Sequence, residues 1–133
     1  MNDTKKILVI EDRPEIRLLV SMAVKPFGFT LIEADTSETG LSAIFEHRPD
    51  LILLDVMMPG AVNGFEICRH VKQDSALRDT AVVIMTALAQ AQDIEEGIAA
   101  GADDYVVKPF SLVGLRNLIG KLLIGPDNRN DEN

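Results

Sequence analysis

The sequence predicts one α/β domain in which helices cover both faces of a five-stranded parallel sheet. Its length of 133 residues suits a single domain and is too short for two well-buried cores. Five short apolar runs are nearly continuous rather than alternating, which is typical of strands buried on both faces of a sheet. Segments with helical periodicity separate these runs, so right-handed crossovers would give a doubly wound, three-layer sandwich.

The predicted strands are the five apolar runs, and each is followed by a segment of helical character. In chain order the runs are Ile7 to Ile10, Thr30 to Ala34, Leu51 to Leu54, Ala81 to Met85 and Tyr105 to Val107. One of the common doubly wound strand orders is 2-1-3-4-5, which would place the first and third strands side by side.

The predicted helices fill the gaps after the strands. The first has Pro14 near its start and Pro26 and Gly28 at its end. Ser111 is the expected N-cap of the fifth helix, because its hydroxyl can accept a hydrogen bond from the first turn. The apolar positions that mark the helices are Ile16, Leu19, Val20 and Ala23 in the first, Leu41, Ile44 and Phe45 in the second, Phe65, Cys68 and Val71 in the third, Ile94 and Ile98 in the fourth, and Leu112, Leu115, Ile119 and Leu122 in the fifth.

The domain is predicted to end shortly after the fifth helix, which should stop at Gly125 and Pro126. We expect residues 1–124 to form the domain. Residues 125–133 carry no apolar side chain beyond Pro126, so we expect a polar C-terminal tail or a truncated linker.

Composition excludes several classes of protein. Apolar residues make up 47% of the chain, enough for a packed core, while the formal net charge of −8 argues against direct binding of nucleic acid or anionic membranes. Cys68 is the single cysteine, which excludes an internal disulfide and a multi-thiolate metal site. The single cysteine suits a reducing cytoplasm, and no apolar run approaches the ~18 residues of a membrane span, so we expect a soluble, cytoplasmic protein.

Reactive side chains follow four of the five predicted strands. Glu11 and Asp12 follow the first, Asp55 the third, Thr86 the fourth and Lys108 the fifth. Ligands of open α/β sheets bind at the carboxyl ends of the strands, where the three carboxylates should lie close together. Crowded carboxylates repel one another unless a divalent cation compensates them, and Mg²⁺ prefers such oxygen ligands.

Asp55 is the predicted nucleophile, because a carboxylate beside Mg²⁺, an ammonium and a hydroxyl can attack a phosphoryl group. A turn over Met57-Met58-Pro59-Gly60 should leave its side chain exposed at the sheet edge. Two simpler interpretations stay open at this point. Asp12 would only cap the helix that starts near Pro14, and Asp55 would only form a turn.

Four motifs of this sequence resemble the receiver domain of two-component response regulators, including the chemotaxis regulators. The motifs occur in the family's order and spacing, over residues 5 to about 124, and four in register are far more specific than one. They are Ile7 to Asp12, Pro49 to Gly60, Val83 to Ala87 and Gly101 to Phe110. The resemblance implies a flavodoxin-like fold with the strand order given above.

The resemblance also implies a role for each matching residue of the site. Asp55 is similar to the phosphoacceptor, which is charged by a sensor histidine kinase or a phosphotransfer protein. Glu11 and Asp12 resemble the acidic pair that binds Mg²⁺, with Asp55 and the backbone carbonyl of Met57 completing the protein ligands. Lys108 resembles the lysine that pairs with the phosphoryl oxygens.

A conformational switch is implied as well. Thr86 resembles the hydroxyl that is drawn toward the phosphoryl group, and Tyr105 resembles the aromatic residue that swings inward into the vacated space. A downstream output protein or domain would read the face formed by the fourth helix, fifth strand and fifth helix. The peptide bond between Lys108 and Pro109 is expected to be cis.

Two features depart from the pattern of the family. The loop that contains Ala61, Val62 and Asn63 before Gly64 is one residue longer than usual. The fourth and fifth helices lack the basic and acidic residues that often support dimerisation through the output face, so we expect a monomer or a weak dimer.

Other functions of such a fold fit the sequence less well. A receiver is not an enzyme in the usual sense, although it assists its own phosphorylation and dephosphorylation. A Mg²⁺-dependent phosphohydrolase with an aspartyl-phosphate intermediate would usually carry a second acid at the position of Met57. A flavin-binding protein would need a glycine-rich loop after the first strand. A pseudo-receiver that binds partners without phosphorylation is disfavoured by the complete set of acids, hydroxyl and lysine.

Overall fold

The computed structural model describes residues 4–58 and 62–125, which form a parallel sheet between two layers of helices. The strands are β1 (Lys6–Ile10), β2 (Thr30–Ala34), β3 (Leu51–Leu54), β4 (Ala81–Thr86) and β5 (Asp104–Val107). The helices are α1 (Pro14–Val24), α2 (Ser37–His47), α3 (Gly64–Gln73), α4 (Ala91–Ala99) and α5 (Leu112–Leu123), with short 3-10 helices at Lys25–Phe27 and Ser75–Leu77.

The strand order is β2-β1-β3-β4-β5, and every neighbouring pair is parallel. This confirms the predicted doubly wound, flavodoxin-like architecture. The three central strands are almost entirely buried, whereas β2 and β5 are partly exposed. The two edge strands are therefore less buried than their apolar runs predict, because each has a neighbouring strand on one side only.

Alternate residues of the central strands supply two hydrophobic cores on opposite faces of the sheet. Leu8 and Ile52 pack with residues of α2 and α3 on one face. Val9 and Leu53 pack with residues of α1 and α5 on the other. Cys68 is fully buried in the first core, which agrees with its place among the apolar positions of the third helix. The two cores hold the carboxyl ends of β1 and β3 side by side.

The ends of the helices agree with their sequence signals. The Ser111 hydroxyl accepts a hydrogen bond of 2.9 Å from the Gly114 N–H, as expected of an N-cap. Gly28 has a φ of +74°, a left-handed conformation that suits glycine, directly after the 3-10 helix that follows α1.

Two apolar residues predicted on buried helix faces are exposed instead. Phe45 is 50% exposed and Ile98 is 66% exposed. In α2 the residues that pack on the sheet are smaller; in α4 the buried residue is Gly97, and the buried Ala100 directly follows the helix. The Tyr105 ring lies against Gly97, so α4 approaches β5 closely at this glycine.

Residues 59–61 of the predicted turn and of the longer loop lie outside the described residues, as does the predicted tail beyond Gly125. Within the described part of the chain, no helix is long and apolar enough to cross a membrane.

Candidate functional site

Three carboxylates meet where β1 and β3 end at the same edge of the sheet. The Glu11 N–H donates to the Ala34 carbonyl at 2.9 Å, and the Asp55 N–H donates to the Ile10 carbonyl at 3.0 Å, so the parallel pairing fixes both backbones. One carboxylate oxygen from each of Glu11, Asp12 and Asp55 lies within 4.8 Å of the others. The structure thus brings together the three acids that the sequence predicts as neighbours.

The three acids differ in their contact with solvent. Glu11 is fully buried, Asp55 is 5% exposed and Asp12 is exposed. The expectation of an exposed Asp55 is wrong, because Lys108 and the backbone of Met57 cover its two oxygens. The interpretation of Asp12 as a helix cap is also wrong, since Arg13 occupies the N-cap position of α1.

Lys108 joins the two buried carboxylates. Its Nζ donates to Glu11 Oε1 at 2.6 Å and to Asp55 Oδ2 at 2.9 Å. The Lys108 N–H donates to the Thr86 carbonyl at 2.8 Å, which extends the pairing of β4 and β5 to the site. The peptide bond from Lys108 to Pro109 is cis, as expected. One ammonium group therefore faces carboxylates from two separate strands.

Burial and ion pairing shift the pKa values of Glu11 and Lys108. Burial raises the pKa of Glu11, and the hydrogen bond from Lys108 opposes this rise only in part. The nearby charge of Asp55 raises the Glu11 pKa further. Burial lowers the pKa of Lys108, but its hydrogen bonds to Glu11 and Asp55 outweigh burial and leave that pKa above its ordinary value. The lysine is therefore held in its charged form.

Asp55 has a second backbone contact through the turn that follows β3. The Met57 N–H donates to Asp55 Oδ1 at 2.9 Å, so each carboxylate oxygen has one donor. The side chain of Met57 is largely exposed. Its carbonyl, which is predicted to be a metal ligand, stays a prediction.

Thr86 and Tyr105 both contact the segment between β4 and α4. Thr86 is fully buried at the end of β4, and its Oγ1 accepts a weak hydrogen bond of 3.4 Å from the Leu88 N–H. The Tyr105 hydroxyl donates to the Leu88 carbonyl at 2.9 Å. Burial raises the pKa of this phenol. Leu88 thus links the threonine and the tyrosine that the sequence singles out.

Arg17 is a residue of the site that the sequence prediction omits. Its Nη1 donates to the Glu11 carbonyl at 2.8 Å, and its Nε donates to Glu33 Oε1 at 3.0 Å. A signal was present, because Arg17, Val20 and Val24 share one face of α1 and the two valines are buried. A charged residue on such a face needs a polar partner.

The donor set at the sheet edge fits a hard divalent cation. Three carboxylates and one ammonium leave an excess of negative charge, and carboxylate oxygens are the ligands that Mg²⁺ prefers. Asp12 is the exposed carboxylate of the three, on the solvent side from which a cation would enter, while Glu11 and Asp55 are buried. These residues can therefore hold a metal ion of this type.

Comparison with known proteins places these residues in a wider context. The sequence model of the family described as "Response regulator receiver domain" matches residues 7–120. The chain is 41% identical over 107 residues to the phosphate regulon transcriptional regulatory protein PhoB of Escherichia coli K12, covering 80% of this chain and 46% of PhoB. It is 39% identical over 107 residues to the DNA-binding dual master transcriptional regulator RpaA of Synechocystis, covering 80% and 44%. The chain spans about half the length of these curated relatives.

Solved structures give the same picture. The BeF3-activated DrrB receiver domain has a TM-score of 0.82 at 32% identity, with 91% of this chain and 98% of that chain covered. The chemotaxis protein CheY4 of Vibrio cholerae has a TM-score of 0.80 at 28% identity, with 90% and 98% covered.

Proposed function

This chain belongs to the response regulator receiver domain family, and from that membership we propose that it receives a phosphoryl group on Asp55 with Mg²⁺ bound beside it. The observation that carries the proposal is the shared contact of Lys108 with Asp55 and Glu11 in a buried acidic cluster. A nucleophilic carboxylate, a fixed cation and a set of metal ligands are the parts that phosphoryl transfer to an aspartate requires.

The reaction transfers one group and leaves the chain covalently changed. An oxygen of Asp55 attacks the phosphorus of the donor, the new O–P bond forms, and the bond from phosphorus to the donor's leaving group breaks with its electron pair. The leaving group is the imidazole of a phosphohistidine or the carboxylate of a small acyl phosphate. Mg²⁺, when bound by Glu11, Asp12 and Asp55, would neutralise charge on the phosphoryl oxygens.

Lys108 gives the second positive charge of the site. Its ammonium already lies 2.9 Å from the Asp55 carboxylate, so it can pair with oxygens of the incoming group without a change of strand position. Hydrolysis of the acyl phosphate by water would return Asp55 to its carboxylate form. The chain is therefore a signalling domain that assists its own phosphorylation and dephosphorylation.

The signal would leave the site through Thr86. Its hydroxyl lies at the end of β4, beside β3, and would move toward a phosphoryl group on Asp55. Leu88 makes hydrogen bonds with both Thr86 and Tyr105, so a shift of Thr86 would change the position of the Tyr105 side chain. The surface of α4, β5 and α5 would then change, which is the expected output of the switch.

The proposed partners are a sensor histidine kinase or a phosphotransfer protein as donor, and an output protein or domain as receiver of the signal. Curated relatives are named transcriptional regulators and are about twice as long as the matched region, which supports an output domain in a similar protein. The net charge of −8 disfavours direct contact of this domain with nucleic acid. Residues 1–124 are proposed as the domain, in the cytoplasm, as a monomer or weak dimer.

The test is the intact mass after incubation with acetyl phosphate, with Mg²⁺ or with a chelator. We expect wild-type protein to gain one phosphoryl group only when Mg²⁺ is present, and Asp55→Asn to gain none. Asp50→Asn is the matched control, because Asp50 lies at the opposite end of β3 and should leave the reaction intact. Absence of the gain in folded wild-type protein would instead indicate a pseudo-receiver.

A further inference from the structure

Arg17 forms a hydrogen bond with the backbone of Glu11, the residue that directly follows β1. β1 ends at Ile10, so the Glu11 carbonyl lies beyond the last residue of the strand. The guanidinium of Arg17 donates to this carbonyl at 2.8 Å. The Glu11 N–H already donates to the Ala34 carbonyl of β2 at 2.9 Å. Both backbone groups of Glu11 are therefore fixed by neighbours.

The guanidinium itself is held in place. Its Nε donates to Glu33 Oε1 at 3.0 Å, and the Arg17 side chain is only 20% exposed. Glu33 lies on β2 in register with Val9, one residue before the partner of Ile10. An arginine can make both bonds at once because its N–H groups are fixed in a planar fork. The Arg17–Glu33 contact thus connects the N-terminal part of α1 to the edge strand β2.

We propose that Arg17 is a positioning residue for the metal site, acting through the backbone that carries Glu11 and Asp12. This inference rests on the proposed function, because it concerns affinity for Mg²⁺. Groups that hold metal ligands in place commonly change metal affinity by 10- to 100-fold when they are removed. Arg17 touches none of the carboxylate oxygens of the cluster, so its effect on them is indirect.

An electrostatic role and a positioning role of Arg17 predict opposite changes in the affinity for Mg²⁺ when this arginine is removed. Removal of a positive charge near a cation site reduces repulsion, so a purely electrostatic role predicts tighter binding of Mg²⁺. Loss of the bond to the Glu11 carbonyl frees the ligand backbone, so a positioning role predicts weaker binding. Arg13 provides the comparison, because it directly follows Asp12 in the sequence and its exposed guanidinium contacts Glu15.

The experiment is a titration of the whole chain with Mg²⁺, followed by the amide NMR shifts of Glu11, Asp12 and Asp55. We expect Arg17→Gln to raise the Kd about 10-fold. Arg13→Gln, which removes the same charge, should leave the Kd unchanged or lower it. Val24→Ala destabilises the same helix from its buried end and should leave the Kd at the wild-type value.

The outcomes separate this inference from its premise. Folded wild-type protein that shows no Mg²⁺-dependent shifts would refute the proposed function. Wild-type binding together with equal or tighter binding by Arg17→Gln would overturn the role of Arg17 alone. If Arg17→Gln does not give a dispersed spectrum, Arg17→Lys replaces it. An ammonium lacks the planar fork, so the Kd should still rise, and a wild-type Kd in that variant would equally overturn the inference.

Discussion

The ammonium nitrogen of Lys108 lies 2.6 Å from Oε1 of Glu11, although 97 positions separate the two residues. The same nitrogen lies 2.9 Å from Oδ2 of Asp55. Lys108 therefore pairs with two of the three carboxylates that we assign to a metal ion. A bound cation and Lys108 would share these oxygens, and each would weaken the other's attraction to them.

The first prediction concerns Lys108→Met, which removes the cation and keeps much of the apolar stem. Two buried carboxylates then lack their partner, so the free energy of unfolding without Mg²⁺ should fall by about 3 kcal/mol. Mg²⁺ should bind more tightly than to wild type, because its competitor is gone. Urea unfolding with chelator and with Mg²⁺ measures both effects. Lys121→Met, on the exposed surface of α5, should change neither, and an unchanged Mg²⁺ affinity in Lys108→Met would contradict the competition.

A second prediction concerns the contact between Gly97 and Tyr105. A Cβ at position 97 would lie 2.8 Å from Cδ2 of the Tyr105 ring, so Gly97→Ala must displace the ring. The hydrogen bond to Leu88 should weaken, and the overpacking should cost about 1–3 kcal/mol. Tyr105 is the only tyrosine and the chain has no tryptophan, so intrinsic fluorescence reports this ring alone. Glu95→Ala on the exposed part of α4 should leave the spectrum unchanged. The same spectrum in Gly97→Ala as in wild type would refute the contact.

The pH dependence of Tyr105 gives a third prediction. Burial raises the pKa of its phenol above the ordinary value of 10.0. The unfolded chain therefore loses this proton at lower pH than the folded chain, and the phenol's contribution to stability is present below pH 10.0 and lost as pH rises through the folded pKa. Ultraviolet titration of tyrosinate should show a higher midpoint in native protein than in urea. Equal midpoints would mean that the phenol is freely solvated.

Asp103 carries the fourth prediction. Its Oδ2 accepts hydrogen bonds from the Val82 N–H at 2.8 Å and from Lys72 Nζ at 3.0 Å. Asp103→Ala should lower the free energy of unfolding by about 1–3 kcal/mol, because the Val82 N–H loses its partner. Denaturant unfolding measures this loss. Asp79→Ala, at an exposed position, is the control, and a loss no greater than in that variant would show that water replaces the carboxylate.

The sequence predicts the layers of this fold better than the details of its packing. Apolar runs and helical spacing identify every strand, because burial in a parallel sheet leaves a strong pattern. The same patterns place Phe45 and Ile98 on the wrong faces, since hydrophobicity alone does not show that small residues such as Gly97 make the closest contact. Helical spacing identifies an apolar face of a helix, but the shape of the neighbouring element determines which face of the helix is buried.

For the site as well, the position of the residues is easier to predict than their side-chain contacts. The strand ends locate Glu11, Asp55 and Lys108, because parallel topology brings them to one edge. Their burial and the bond between lysine and glutamate depend on side-chain conformations that spacing does not encode. Arg17 is missed for a similar reason, since its role comes from a carbonyl that becomes available only once β1 has ended.

The most direct test of the account is to find which side chain carries the phosphoryl group after reaction with acetyl phosphate and Mg²⁺. Borohydride reduces an aspartyl phosphate to homoserine, and fragment masses of the digested protein then identify the modified position. We expect homoserine at position 55 and unmodified acids at positions 11 and 12. Modification of Glu11 or Asp12, or of no carboxylate in folded protein, would contradict it.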